Sequence, residues 1–159
     1  MLSPASVPLS IRPATAADEA TLVDLARRLT AFDGLPRWRQ PGEISSADAR
    51  AMIAAVATAS EANEVFIAER DGVVVGCLHM LTMTDFFGRH HAHISVIATT
   101  EAAEGTGVGK ALLAEAEAWA RRRGTSLLTL NVFDSNTRAR RFYERAGFAP
   151  ETLRYAKEI

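Results

Sequence analysis

A single cysteine, Cys77, in 159 residues leaves no partner for an intramolecular disulfide and suits a reducing compartment. No block of one charge sign stands out. Eighteen Lys and Arg against nineteen Asp and Glu give a net charge of −1, so no polybasic footprint points to nucleic acid. No apolar run reaches the ~20 residues that span a bilayer. The opening segment Met1-Leu2-Ser3-Pro4-Ala5-Ser6-Val7-Pro8 has neither a basic start nor an apolar core, so it does not read as a signal peptide. Internal repeats, low-complexity stretches and a second composition regime are also missing. The expectation is a cytoplasmic protein with no membrane partner: a loose tail over residues 1–8, then one domain over 9–159, long enough for a sizeable core.

The patterning that is present alternates strands and helices. Leu9 to Arg12 reads as a short strand stopped by Pro13, and Thr15-Ala16-Ala17-Asp18 reads as a capping-box start. Leu22, Leu25, Ala26 and Leu29 then carry a helix to about Ala31. After a loop through Pro41-Gly42, Ser46 is expected to cap an alanine-rich helix that ends near Ser60. Strands follow over Val65 to Glu69 and Val73 to Met83, joined by Asp71-Gly72 in a tight hairpin. His91 to Thr99 is the next strand. A helix from Val108 to Arg123 buries Val108, Leu112, Ala116 and Trp119 along one stripe, and Gly124 ends it. Arg121, Arg122 and Arg123 complement its dipole and keep it soluble. A strand over Ser126 to Val132, a helix from Asn136 and a last strand through Tyr155 complete the order β-α-α-β-β-β-α-β-α-β.

Glu104-Gly105-Thr106-Gly107-Val108-Gly109-Lys110 links the His91 strand to its helix. Glycines let several N–H groups converge on one point, and the helix start adds unpaired N–H groups and a positive dipole end. Such a socket suits phosphate. A mononucleotide P-loop needs Gly five residues before Gly109 and Ser or Thr after Lys110, but finds Glu104 and Ala111. A dinucleotide fingerprint needs a third glycine where Lys110 stands. The spacing Glu104, Gly107, Gly109 resembles instead the coenzyme A pyrophosphate loop of the GNAT superfamily of acyl-CoA-dependent N-acyltransferases. A second motif resembles the same family: Asn136, Tyr143 seven residues on, then Gly147-Phe148.

The resemblance implies an α/β (α+β) GNAT fold: a central, mixed, mainly antiparallel sheet flanked by about four helices. That sheet splays between the strand before the glycine loop and the strand after its helix. It implies an acetyl-CoA-dependent N-acetyltransferase acting on a small-molecule or peptide amine by direct transfer in a ternary complex. It assigns the cofactor pyrophosphate to the amides of Gly105, Gly107, Val108, Gly109 and Lys110. The pantetheine arm falls to the main chain of Val96, Ile97 and Ala98, and Asn136 also contacts that arm. Tyr143 becomes the general acid for the departing thiolate; its other role is to pack against Phe148. Asn136 and Tyr143 are expected on one helix face, with Arg140 four residues from Asn136 able to meet a phosphate or simply solvent. Homodimers are common in the family, and none of its chemistry requires metal.

Relatives often carry an acidic base on the strand before the loop. Here its core offers none, but His91, His93 and Ser95 alternate onto one face unless a bulge intervenes. His93 titrates in the range a base needs, with Asp85 and Glu101 as outside candidates; pairing with a neighbouring strand is the alternative. His79, His90, His91 and His93 invite a metal, yet no cysteine or close carboxylate completes a tetrahedral set, so no metal is expected. The acceptor is expected near Phe32, Asp33 and Trp38 and near Asp85, where aromatic walls and acids suit a cationic amine. Glu104 departs from the family's Arg or Gln, placing a carboxylate by a pyrophosphate unless it turns away. That departure keeps a second function in view, a non-catalytic acyl-CoA-binding or sensor module of the same fold.

Overall fold

The computed structural model describes residues 8–159, so the expected tail over 1–8 lies outside the described residues save for Pro8. Five strands form one open sheet in the order β1-β2-β3-β4-β5. They are β1 Leu9–Pro13, β2 Asn63–Arg70, β3 Val73–Thr84, β4 His90–Thr99 and β5 Leu128–Leu130. The first four pair antiparallel and only β4 with β5 is parallel. The helices are α1 Glu19–Arg27, α2 Pro41–Thr58, α3 Val108–Arg122 and α4 Thr137–Arg145.

Alternation along the strands divides the core in two. On one face Phe66, Ala68, Leu78, Met80, Ala92 and Ile94 pack under Val108, Leu112, Ala116 and Trp119 of α3. On the other, Val65, Ile67, Cys77, Val96 and Ala98 pack under Leu22, Leu25 and Ala26 of α1 and Ala49, Met52 and Ala55 of α2. The expected α3 stripe is thus the buried one. Trp119 is fully covered because its indole N–H reaches Glu64 and the Arg123 guanidinium lies 3.8 Å from its ring centre. A buried indole needs such a partner. Arg123 is therefore a packing residue, while Arg121 and Arg122 pair with Glu117 and Glu115 on the helix surface.

Local signals explain most boundaries. Thr15 and Asp18 form the expected capping box, and Arg12 grips the Asp18 carboxylate with two bonds of 2.8 Å. Asp71 and Gly72 take positive φ of 52° and 71°, as a two-residue type I′ hairpin requires. Several boundaries differ: α1 stops at Arg27 and continues as a 3-10 turn to Thr30, and β5 keeps only Leu128–Leu130 of the expected Ser126 to Val132. Helix α2 starts at Pro41, ahead of Ser46, because proline at the first helical position has no N–H to leave unpaired. The last strand, expected through Tyr155, is absent: residues 146–159 form no regular element, and Leu153 and Tyr155 are exposed. Their alternation suits a strand, but the β5 edge offers a three-residue ladder, and Pro150 removes a donor.

Strand β4 changes character midway. His79 of β3 opposes Val96 while Met80 opposes Ile94, so Ser95 is an extra residue, a β-bulge. Before it, Ala92 and Ile94 face α3; after it, Val96 and Ala98 face α1 and α2. Strand β5 pairs with β4 only from Ala92 to Ile94. From Ser95 onward the sheet splays, and among the described residues that edge of β4 has no strand beside it.

Candidate active site

The glycine loop stands at the end of this open edge. After β4, a single 3-10 turn over Glu101–Ala103 leads into Glu104, and α3 begins at Val108. Gly105 and Gly107 take φ of 72° and 86°, the left-handed region that side chains disfavour. A Cβ at either would meet nothing within 4 Å, so backbone conformation demands glycine there, and the space alongside is open. The N–H groups of Gly105, Gly107, Val108, Gly109 and Lys110 meet no protein acceptor among the described residues. These are the five the sequence singled out. Such a cluster of main-chain donors at a helix N-terminus fits an anion, and its opening beside the bare β4 edge fits a phosphate carrying a long arm.

The loop is braced from three sides. Thr106 Oγ1 donates to Ala103 O at 2.6 Å, and Arg70 at the end of β2 holds Thr106 through its hydroxyl (3.0 Å) and carbonyl (2.8 Å). Gly109 lies under the Phe142 ring of α4, where a Cβ would come within 3.2 Å. Glu104 accepts from Arg28 Nη2 at 2.6 Å and Arg138 Nη2 at 2.8 Å. These arginines, Arg138 first, hold its carboxyl below the usual range. The carboxylate foreseen as a clash is thus turned onto two cations. Sequence reasoning missed Arg28, Arg70 and Arg138; an acid in a phosphate loop is itself the signal that cations stand nearby.

Asn136 and Tyr143, expected on one helix face, stand one at the cap and one in the body of α4. Asn136 is the N-cap of α4, outside the helix, and its Oδ1 accepts from Ala139 N at 3.1 Å. Its side-chain NH2 donates to no protein group among the described residues. Tyr143 packs between Phe142 and Phe148, ring centres 5.3 and 5.8 Å away. Burial pushes its hydroxyl up to about 12. Arg140 pairs with Asp134 at 2.7 Å in the turn before α4.

On β4, His91 and His93 are buried on the face opposite Ala92 and Ile94, their ring centres 6.5 Å apart. His93 Nδ1 lies 2.7 Å from Thr129 Oγ1 of β5. Thr129 Oγ1 also donates to Ala92 O at 3.5 Å; with its proton directed there, the hydroxyl accepts from Nδ1–H and Nε2 keeps the lone pair. Burial, then His91, lowers the His93 pKa from its usual value. His79, opposite Val96, is held by Asn63 through Nε2 at 2.6 Å, while its buried Nδ1 has no partner among the described residues. Among the described residues no three His, Cys, Asp or Glu side chains gather to hold a metal.

The remaining predicted residues separate. Phe32 packs on Phe133, 5.9 Å between centres, and Gly34 touches Ser135, so the α1–α2 loop rests on the β5–α4 turn. Trp38 is 42 % exposed beside it, and Asp33 is exposed. Asp85 lies at the other end of β4, in the β3–β4 hairpin, with Oδ1 accepting from Phe87 N and Arg89 N at 2.9 Å. Glu101 is exposed in the turn past β4.

The chain matches the model of the acetyltransferase (GNAT) family over residues 30–148, and it belongs to that family, whose general reaction is acetyl transfer from acetyl-CoA. No curated protein matches it. Among solved structures it is similar to a transcriptional regulator from Bacillus halodurans C-125, with 26% identity, TM-score 0.72, and 96% of this chain and 100% of that one covered. It is also similar in fold to an aminoglycoside N-acetyltransferase in complex with CoA, at 19% identity, TM-score 0.73 and 99% of both chains. A third neighbour is glucosamine-6-phosphate N-acetyltransferase from Arabidopsis thaliana, at 15% identity and TM-score 0.67, covering 95% of this chain and 98% of that one. Among the described residues no helix is long and apolar enough to cross a membrane.

Proposed function

We propose that the chain is an N-acetyltransferase that moves the acetyl group of acetyl-CoA to a primary amine by direct transfer in a ternary complex. The observation that carries this reading is the set of five unpaired N–H groups at Gly105, Gly107, Val108, Gly109 and Lys110, set beside the open edge of β4. Those donors hold the pyrophosphate. The edge of Val96, Ile97 and Ala98 orients the pantetheine arm, with the Asn136 NH2 as a further donor. Bound acetyl-CoA supplies an activated acetyl thioester. Tyr143, protonated throughout the neutral range, gives its Oη proton to the departing sulfur. His93 is neutral at pH 7, and its Nε2 takes the proton that the amine sheds.

Phe32, Asp33 and Trp38, on the loop resting on the β5–α4 turn, form the acceptor side, and Asp85 is the more distant candidate. The neighbours named for aminoglycoside and glucosamine-6-phosphate acetylation support a small-molecule amine. The first test is the melting temperature with acetyl-CoA, CoA and ATP. Ligand at about a hundred times its Kd adds about 2.7 kcal/mol, a shift of several degrees. A response to both CoA species and not to ATP supports the cofactor, and release of thiol on adding amines supports the enzyme. No response at millimolar ligand sinks the reading.

A second reading is an acyl-CoA-binding module without turnover. It is favoured by the engagement of Asp85 in its turn and by the likeness to a transcriptional regulator. Cofactor binding without thiol release for any amine class, and indifference to Tyr143→Phe, would support it.

A further inference from the structure

Glu104 joins two arginines that differ in one respect. Arg28, in the turn after α1, is 28 % exposed, and its Nε is buried without a partner among the described residues. Arg138, in the first turn of α4, is 75 % exposed. Leaving Glu104 would strand a partly buried Arg28, which costs more than exposing a surface side chain. Arg138 returns to water at little cost, because surface ion pairs contribute little. Arg28 is therefore the standing counter-ion of Glu104, and Arg138 the exchangeable one. Glu104 immediately precedes the five unpaired amides, so the Arg138 guanidinium sits about one side chain from them, with a fork suited to bidentate phosphate contact.

We propose that Arg138 is a phosphate-binding residue for the cofactor and that Glu104 is its internal competitor, holding Arg138 beside the glycine loop until a phosphate displaces the carboxylate. The inference rests on the coenzyme A reading and names the cation that the family's usual loop-start residue would otherwise supply. Because Arg28 stays on Glu104 when Arg138 leaves, the carboxylate is not left as an unpaired charge against the pyrophosphate. Glu104 thereby weakens binding without abolishing it, which favours release of the spent cofactor.

The test is calorimetric titration of CoA into wild type, Arg138→Gln, Arg138→Lys and Glu104→Gln at two ionic strengths, with ligand-free melting temperatures as the fold check. Arg138→Gln should weaken CoA roughly tenfold at low salt, the loss of one charge-assisted contact, and the gap should narrow at high salt. Arg138→Lys should fall between the two. Glu104→Gln should bind CoA several-fold tighter than wild type, with a smaller gain in the Arg138→Gln background, as expected for coupled groups. Wild-type binding with Arg138→Gln unchanged overturns this proposal alone, and so does a weaker Glu104→Gln. No CoA binding by wild type overturns the cofactor reading and this proposal with it.

Discussion

His93 Nδ1 and Thr129 Oγ1 lie 2.7 Å apart, on the middle rung of the three that join β4 to β5. The bond is a side-chain staple one step before the strands part. It fixes which histidine nitrogen keeps its lone pair and it ties the two walls of the cleft together. Thr129→Val removes the acceptor and keeps the shape. We expect a stability loss of roughly 1–2 kcal/mol, a fall in kcat and an unchanged Kd for CoA; a melting curve, steady-state rates and a titration check all three.

If His93 is the base, kcat/KM falls on the acid side as Nε2 is protonated, with its midpoint below the usual 6.5 because burial lowers the pKa. His93→Gln should flatten that limb and reduce the plateau, roughly a hundredfold for a lost general base. A limb surviving in His93→Gln assigns it to another group.

Tyr143 titrates only near 12, so no alkaline limb from it is expected below about pH 11. Tyr143→Phe keeps the packing against Phe142 and Phe148 and removes one proton. The expected result is a kcat lower by roughly a hundredfold and an unaltered CoA affinity. An unaltered kcat would leave Tyr143 as a packing residue.

Gly107 and Gly109 should respond differently to alanine. At Gly107 the φ of 86° costs a side chain roughly 1–2 kcal/mol, so Gly107→Ala should lower the melting temperature and CoA affinity together. At Gly109 the backbone is helical, and alanine gains up to about 1 kcal/mol of propensity. Against that gain stands the Phe142 ring 3.2 Å from the new methyl. Gly109→Ala should therefore be the milder change, readable from paired melting curves.

His79 makes folding stability depend on pH. Its folded pKa is lowered to about 4 by burial, with His93 adding to it, from 6.5 when exposed. The unfolded chain therefore binds the proton first, and stability is full above pH 6.5 and declines as pH falls toward 4. The loss is about 3 kcal/mol over that window. Asp18, held down to about 2 by Arg12, acts only at lower pH. His79→Gln should reduce the slope in denaturant titrations between pH 6.5 and 4; an unchanged slope assigns it elsewhere, His93 first.

Residues with local causes were legible in the sequence. The stripe of Val108, Leu112, Ala116 and Trp119 follows helical period, Asp71-Gly72 follows turn chemistry, and the five donors follow from glycines preceding a helix. Residues with distant causes were not. Nothing near Glu104 in sequence indicates that Arg28 and Arg138 converge on it from 76 and 34 positions away. Leu153 and Tyr155 alternate as a strand does, but alternation does not report whether a neighbouring edge is long enough to pair. Asn136 stands two turns from Tyr143 by counting, and counting assumed that the helix had already begun.

The bulge at Ser95 gives β4 two phases. Its first half presents histidines to the face where its second half presents Val96 and Ala98, and one residue makes the difference. Deleting Ser95 would close the bulge and leave Ile94 and Ile97 toward α3 and Val96 and Ala98 toward α1 and α2, whereas inserting one residue after Val96 would invert every later residue up to the glycine loop. The strand thus carries a frame, as a coding sequence does: substitutions along it are local events, whereas one residue added past the bulge rewrites everything downstream.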